Sequence, residues 1–194
     1  MSVIVNIAVI ILEIRGLRIS ISDRKWRIFA YYTQISNIIT LISSVVFIAA
    51  IAAGTIAAGS GAGTIAGIPV TLRYLSSCML TMTFLITLFV LVPMGAGFRR
   101  MMLSGNGLYH HTLCPVLSVT SYILWEGHSD LWILPTILTF VYGMIMLYMN
   151  AKGKFDGPYP FFRVQSQSKA ATVLWMAVLI SVIAAISIGI SMAA

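Results

Sequence analysis

The charges of this chain gather in or beside the gaps between apolar runs. Six such runs, roughly 2–19, 27–53, 68–94, 108–125, 131–150 and 170–193, divide the sequence, and eleven of its twelve Lys and Arg residues fall in three of the gaps. Each run is near the roughly 20 residues a helix needs to cross a bilayer. No water reaches backbone N–H and C=O groups in hydrocarbon, so each run must pair them internally as a helix. Only 9% of residues are charged and the mean hydropathy is +0.98, whereas a soluble domain carries about 25% charged residues. Such a chain cannot cover a water-facing surface. The expected fold is all-α: a polytopic membrane protein, one transmembrane domain over 1–194, built as a bundle of six transmembrane helices. The first run is the weakest, because Glu13 and Arg15 interrupt its end. A five-helix alternative lays residues 2–14 in the interface and puts the termini on opposite sides.

The basic gaps alternate with nearly uncharged ones. Arg15, Arg18, Arg24, Lys25 and Arg27 lie in the first, Arg99 and Arg100 in the third, and Lys152, Lys154, Arg163 and Lys169 in the fifth. By the positive-inside rule these three are cytoplasmic and both termini lie outside. The net charge of +7 is therefore a topology signal and an attraction for anionic headgroups, with no nucleic-acid partner implied. Arg73 is the one basic residue elsewhere; Glu126 and Asp130 occupy an outer gap. Cys78 and Cys114 sit in apolar runs, which argues against a disulfide framework. No cleavable leader is expected, since positive charge follows the first run and does not precede it. Residues 52–67 are small and Gly-rich and read as an outer loop, with tight helix packing as the competing reading. No internal repeat of the inverted-repeat transporter kind is visible.

Most of the reactive polar residues gather beside the basic gaps. Thr33 lies near the start of the second run, and Ser36 and Asn37 share its helical face at i+3 and i+4. A lone threonine in a membrane helix commonly bonds the carbonyl one turn back; an asparagine amide in hydrocarbon needs partners. His110 and His111 open the fourth run, about 100° apart on a regular helix, so one can face the bundle and the other the headgroups. They read either as a solvated interfacial pair or as a general base. Pro115 removes a backbone bond and can kink that helix. Glu13 reads as an interfacial salt bridge with Arg15 or Arg18, or as a group orienting an imidazole. Asn150 closes the fifth run. Residues 155–163, FDGPYPFFR, break any helix, and Tyr159, Phe161 and Phe162 form either an aromatic belt or a lid over the helix ends. A hydroxyl with an imidazole suggests nucleophilic catalysis. A zinc site is not expected: His110, His111 and Glu13 lack ligand spacing, and His128 is in an outer gap. The outer halves of the helices offer only Ser43, Ser44 and Thr71 as polar lining, which argues against a path across the membrane.

The stretches YYTQISN at 31–37, YHHTLCP at 109–115 and GPYPFF at 157–162 occur in that order on a six-run chain. In this the chain resembles the androgen-induced protein family and its bacterial six-pass relatives, over about residues 26–165. Characterised eukaryotic members are threonine hydrolases that cleave fatty acid esters of hydroxy fatty acids within the membrane. The resemblance implies that Thr33 is the nucleophile and that the base lies in YHHTLCP. The bacterial pattern, four residues before the proline, points to His111; the eukaryotic pattern, five before, points to His110. Several relatives carry an acid five or six residues after that proline, where this chain has Thr120 and Ser121. A third triad member is therefore open, with Glu13 or Asn37 as the available helpers. The resemblance also implies a bacterial inner membrane and a lipid substrate drawn from the bilayer.

The leading expectation is an intramembrane lipid-ester hydrolase, with Thr33 and His111 or His110 catalytic. Asn37, Ser36, Glu13, Asn150, Tyr159 and Phe161 would support the site or bind substrate. No cofactor and no metal are expected. A small-molecule or proton-coupled carrier and a noncatalytic scaffold are the alternatives.

Overall fold

A computed structural model describes residues 1–56, 67–155 and 159–194. Most of the Gly-rich 52–67 stretch and the Asp156-Gly157-Pro158 turn therefore lie outside the described residues. Among the described residues the chain is all-helical. The α-helices are α1 Ser2–Arg24, α2 Tyr32–Ala52, α3 Ile68–Ile86, α4 Gly105–Gly107, α5 Cys114–Trp125, α6 Ile133–Ala151 and α7 Lys169–Ala193. Short 3₁₀ turns span Lys25–Ala30 and Pro160–Phe162, and π-helical segments span Thr87–Ala96, Arg99–Leu103 and Leu108–Leu113.

Among the described residues, four helical segments are long and apolar enough to cross a membrane: Tyr32–Ala52, Ile68–Ala96, Ile133–Ala151 and Lys169–Ala193. These correspond to four of the six expected runs. The other two differ for separate reasons. Any stretch of α1 long enough to span includes Glu13, Arg15 and Arg18. The run at 108–125 changes winding at Cys114, and α5 by itself has 12 residues. Pro115 sits at the start of α5; lacking an N–H, it suits the switch from π to α winding.

Helix α3 is central and packs against α2, α5, α6 and α7, while α1 packs on α2 and α5. Apolar side chains such as Phe47, Tyr74, Met79, Tyr122 and Ile183 fill the core. Helix α1 is inside-out relative to a helix of a soluble protein. Its buried stripe includes Ser2, Asn6, Glu13 and Ser20, while Ile4, Ile7, Ile11 and Ile14 are exposed. The stripe follows helical spacing from Ser2 to Ser20, so residues 2–14 are one packed helix continuous with the basic stretch as far as Arg24.

The end of the bundle opposite the basic gaps is not bare of polar groups, contrary to the expectation from sequence. Arg73 is fully buried, and its Nε donates to Glu126 Oε2 at 2.6 Å. Its other nitrogens reach Glu126 Oε1 at 3.3 Å and Ser44 Oγ at 3.1 Å. Asn6 Nδ2 also donates to Glu126 Oε1, at 2.6 Å, and Ser121 adds a further hydrogen bond to that oxygen. Ser76 bonds Ser43 at 2.9 Å, and Thr40 and Ser43 step back along α2 through backbone carbonyls. The polar groups are spread over four helices that are mostly apolar, so hydropathy along one segment at a time hides them. Cys78 and Cys114 are both buried free thiols.

Candidate functional site

Helix α2 starts at Tyr32, after Tyr31 in extended conformation (φ −102°, ψ 124°). The N–H of Thr33 therefore falls in the first turn, where no intrahelical acceptor exists. It donates to the hydroxyl of Tyr159 at 3.3 Å, and that hydroxyl is also 3.3 Å from Thr33 Oγ1. Two sequence-distant motifs thus meet at one threonine. The carbonyl of Thr33 accepts from Ser36 Oγ at 2.9 Å and from Asn37 Nδ2 at 2.5 Å. Ser36 and Asn37 thereby hold the backbone that carries Thr33, and their donors do not point away from it. Ser36 also bonds Thr83 of α3 at 3.1 Å.

Tyr159 is held by aromatic packing. Its ring stacks on Phe161 at 5.2 Å with 4° between planes, and meets Tyr31 edge-on at 6.4 Å. Tyr159, Phe161 and Phe162 are all buried. The segment is folded inward over the helix ends, so the aromatic-belt reading is overturned in favour of the lid. Burial raises the Tyr159 phenol above the usual tyrosine range; its hydrogen bonds to Thr33 act the other way. It is therefore a neutral hydroxyl at physiological pH. Asn150, at the end of α6, donates to Phe155 O at 3.2 Å and accepts from Val164 N–H at 2.8 Å. It clamps both sides of this loop, and among the described residues it has no hydrogen bond to Thr33.

The histidines are not a solvated surface pair. Both are buried, and they lie on the π-helical Leu108–Leu113 turn. His110 Nδ1 is 3.2 Å from Gln34 Nε2, and Nε2 is 3.4 Å from Glu13 Oε2. An amide nitrogen only donates, so Gln34 donates to His110 Nδ1, and Nε2 is the ring nitrogen on the Glu13 side. Glu13 is fully buried here, which overturns the interfacial salt bridge with Arg15 or Arg18. Gly16 makes the approach possible, since a Cβ there would overlap the His110 ring at Nε2. Gly16→Ala is accordingly expected to cost about 1–3 kcal/mol by overpacking, read as a lowered Tm in detergent. An unchanged Tm would contradict this packing.

His111 faces a different space. It lines a polar cavity of about 700 Å³ together with Thr33, Gln34, Tyr159, Arg24 and Arg100, and its Nδ1 has no partner. Thr33 and Tyr159 also border a narrow apolar space of about 40 Å³, walled by Phe161, Phe162, Met176 and Leu179. Thr33 thus stands between a polar cavity and an apolar cleft. Among the described residues no hydrogen bond joins Thr33 to either histidine; the hydroxyl is bonded to Tyr159, and His111 faces Thr33's cavity. Nor does any group of three His, Cys, Asp or Glu side chains among them converge as a metal site would require.

Gln34, Arg24 and Arg100 were missed from sequence. Gln34 was within reach of sequence reasoning, because the rule that flags Asn37, a buried amide needing partners, applies to its neighbour in the same motif. The two arginines look like topology charges until the cavity they line is seen. Comparison with protein-family models, with curated proteins and with solved structures finds no match to this chain.

Proposed function

We propose that the protein is an intramembrane hydrolase of lipid esters, related to the androgen-induced protein family. In this reading α1 and the Leu108–Trp125 stretch also cross the membrane, making six spans. The inside-out face of α1, and its length of about 35 Å at 1.5 Å per residue, support its crossing. The basic gaps face the cytoplasm of a bacterial inner membrane, with both termini outside.

The observation that carries the reading is the position of Thr33 between the polar cavity, which contains His111, and the aromatic-walled apolar cleft. An amphiphilic ester would lie across that boundary with its carbonyl at the hydroxyl. Thr33 Oγ1 attacks the carbonyl carbon, and its proton passes through cavity water to His111. The Thr33 N–H and the Tyr159 hydroxyl stabilise the oxyanion. Collapse breaks the ester C–O bond, and the leaving alcohol takes the proton from His111. Water then hydrolyses the acyl-threonine, restoring the hydroxyl and releasing a fatty acid. Glu13 and Gln34 hold His110, next in the chain to the base. The apolar cleft has room for about one water, so an acyl chain enters by parting α6 and α7.

The test is labelling of purified protein in detergent by a fluorophosphonate, wild type against Thr33→Ala and His111→Ala. Labelling of wild type alone is expected. Labelling retained in Thr33→Ala removes Thr33 as nucleophile.

A carrier is the second reading, favoured by one observation. Hydrogen-bonded polar groups run from Thr33 through Ser36, Thr40, Ser43 and Ser76 to Arg73 and Glu126. Transport requires sealed vesicles, whereas hydrolysis proceeds equally in detergent, so the same preparation separates the two.

A further inference from the structure

We infer that the polar cavity seats the phosphate of a lipid headgroup between Arg24 and Arg100, beside Thr33. At about 700 Å³ the cavity far exceeds the space an ester group needs. Arg24 comes from the end of α1 and Arg100 from the π-helical Arg99–Leu103 turn, so the two exposed arginines line the cavity from different elements. Among the described residues neither has a carboxylate within ion-pair distance. Asp23 is the one acid of the described wall, which leaves the wall positive.

The Arg24 guanidinium, though exposed, packs on an aromatic ring. It lies 4.3 Å from the centroid of the Tyr31 ring, Tyr31 meets Tyr159 edge-on, and the Tyr159 hydroxyl touches Thr33. The cation is thus tied to the nucleophile through two packed rings. Guanidinium groups match the oxygens of carboxylate and phosphate. A carboxylate presents two oxygens along one edge, which suits a single arginine. A phosphate presents three or more in different directions, and two arginines from separate walls can both engage it.

This deepens the proposed hydrolase and rests on that reading for the reaction. The ester cut would be the one nearest the phosphate-bearing head. Water adds across it, giving a fatty acid and a lipid alcohol that keeps its phosphate.

Binding is tested apart from turnover, with Thr33→Ala protein in neutral detergent and dodecyl phosphate as the probe. At about 100 times Kd the probe is expected to raise Tm by roughly 5 °C or more. Dodecanoate and inorganic phosphate at the same concentration are expected to give less. Arg24→Gln and Arg100→Gln are each expected to weaken the probe by about tenfold or more. Equal shifts with dodecanoate would overturn the phosphate, and equal shifts with inorganic phosphate would overturn the lipid. These two comparisons need no arginine variant, so they hold even if the variants fold poorly. Unchanged affinity in both folded variants would overturn the site. Phosphate binding that needs both arginines, in a protein whose Thr33 never labels, would leave the headgroup site standing and remove the hydrolase.

Discussion

Arg73→Met is expected to destabilise the protein by about 3–5 kcal/mol, the cost of leaving a buried charge without its partner. Glu126 is buried with Arg73 and accepts from its Nε and from Asn6 and Ser121. With the guanidinium gone, the carboxylate keeps two neutral donors and loses its counter-charge in a low-dielectric interior. Glu126→Gln should cost a similar amount by stranding Arg73. The double variant Arg73→Met, Glu126→Leu should recover most of the loss, because an apolar pair of similar volume removes both charges together. Thermal unfolding in detergent reads all three. Single variants within about 1 kcal/mol of wild type would mean that water reaches the pair. A double variant as unstable as the singles would assign the cost to packing.

On the proposed hydrolase reading, Tyr159→Phe is expected to lower kcat for ester hydrolysis by about 10²–10³, with KM little changed. The substitution keeps the ring that stacks on Phe161 and meets Tyr31, and removes only the hydroxyl bonded to Thr33. The stability cost should be near 1 kcal/mol per lost hydrogen bond. A stability loss without a change in kcat would make Tyr159 a structural clamp on the start of α2. A large rise in KM at constant kcat would make it a substrate contact. Either result would remove it from the transition state.

Hydropathy located the segments around Tyr32–Ala52, Ile68–Ala96, Ile133–Ala151 and Lys169–Ala193 because each is apolar on most of its faces. It could not describe α1 fully, since what distinguishes that helix is which of its residues turn inward. Thr33 and Tyr159 were both marked as site residues, but their contact joins positions 126 apart, a separation no local pattern reports. Arg73 and Glu126 looked like stray charges at segment ends for the same reason. The shared burial of the histidines was not legible because their surroundings, Glu13 and Gln34 for His110 and the polar cavity for His111, come from distant segments. Asn150 was marked for its polarity and proves to hold the lid loop through backbone groups.

The bond between Asn6 and Glu126 has a consequence for how the protein is made. Asn6 leaves the ribosome 120 residues ahead of its carboxylate partner. At about 5–20 residues per second, α1 waits roughly 6–24 s for that partner. Glu13 waits almost as long for His110. During that interval a helix carrying Asn6, Glu13 and Arg15 has no finished bundle to shield it, and lone polar side chains in hydrocarbon are unfavourable. Biogenesis therefore favours holding α1 at the insertion machinery, or at the water interface, until α5 emerges. Helix α1 would then dock after helices that are synthesised later than it.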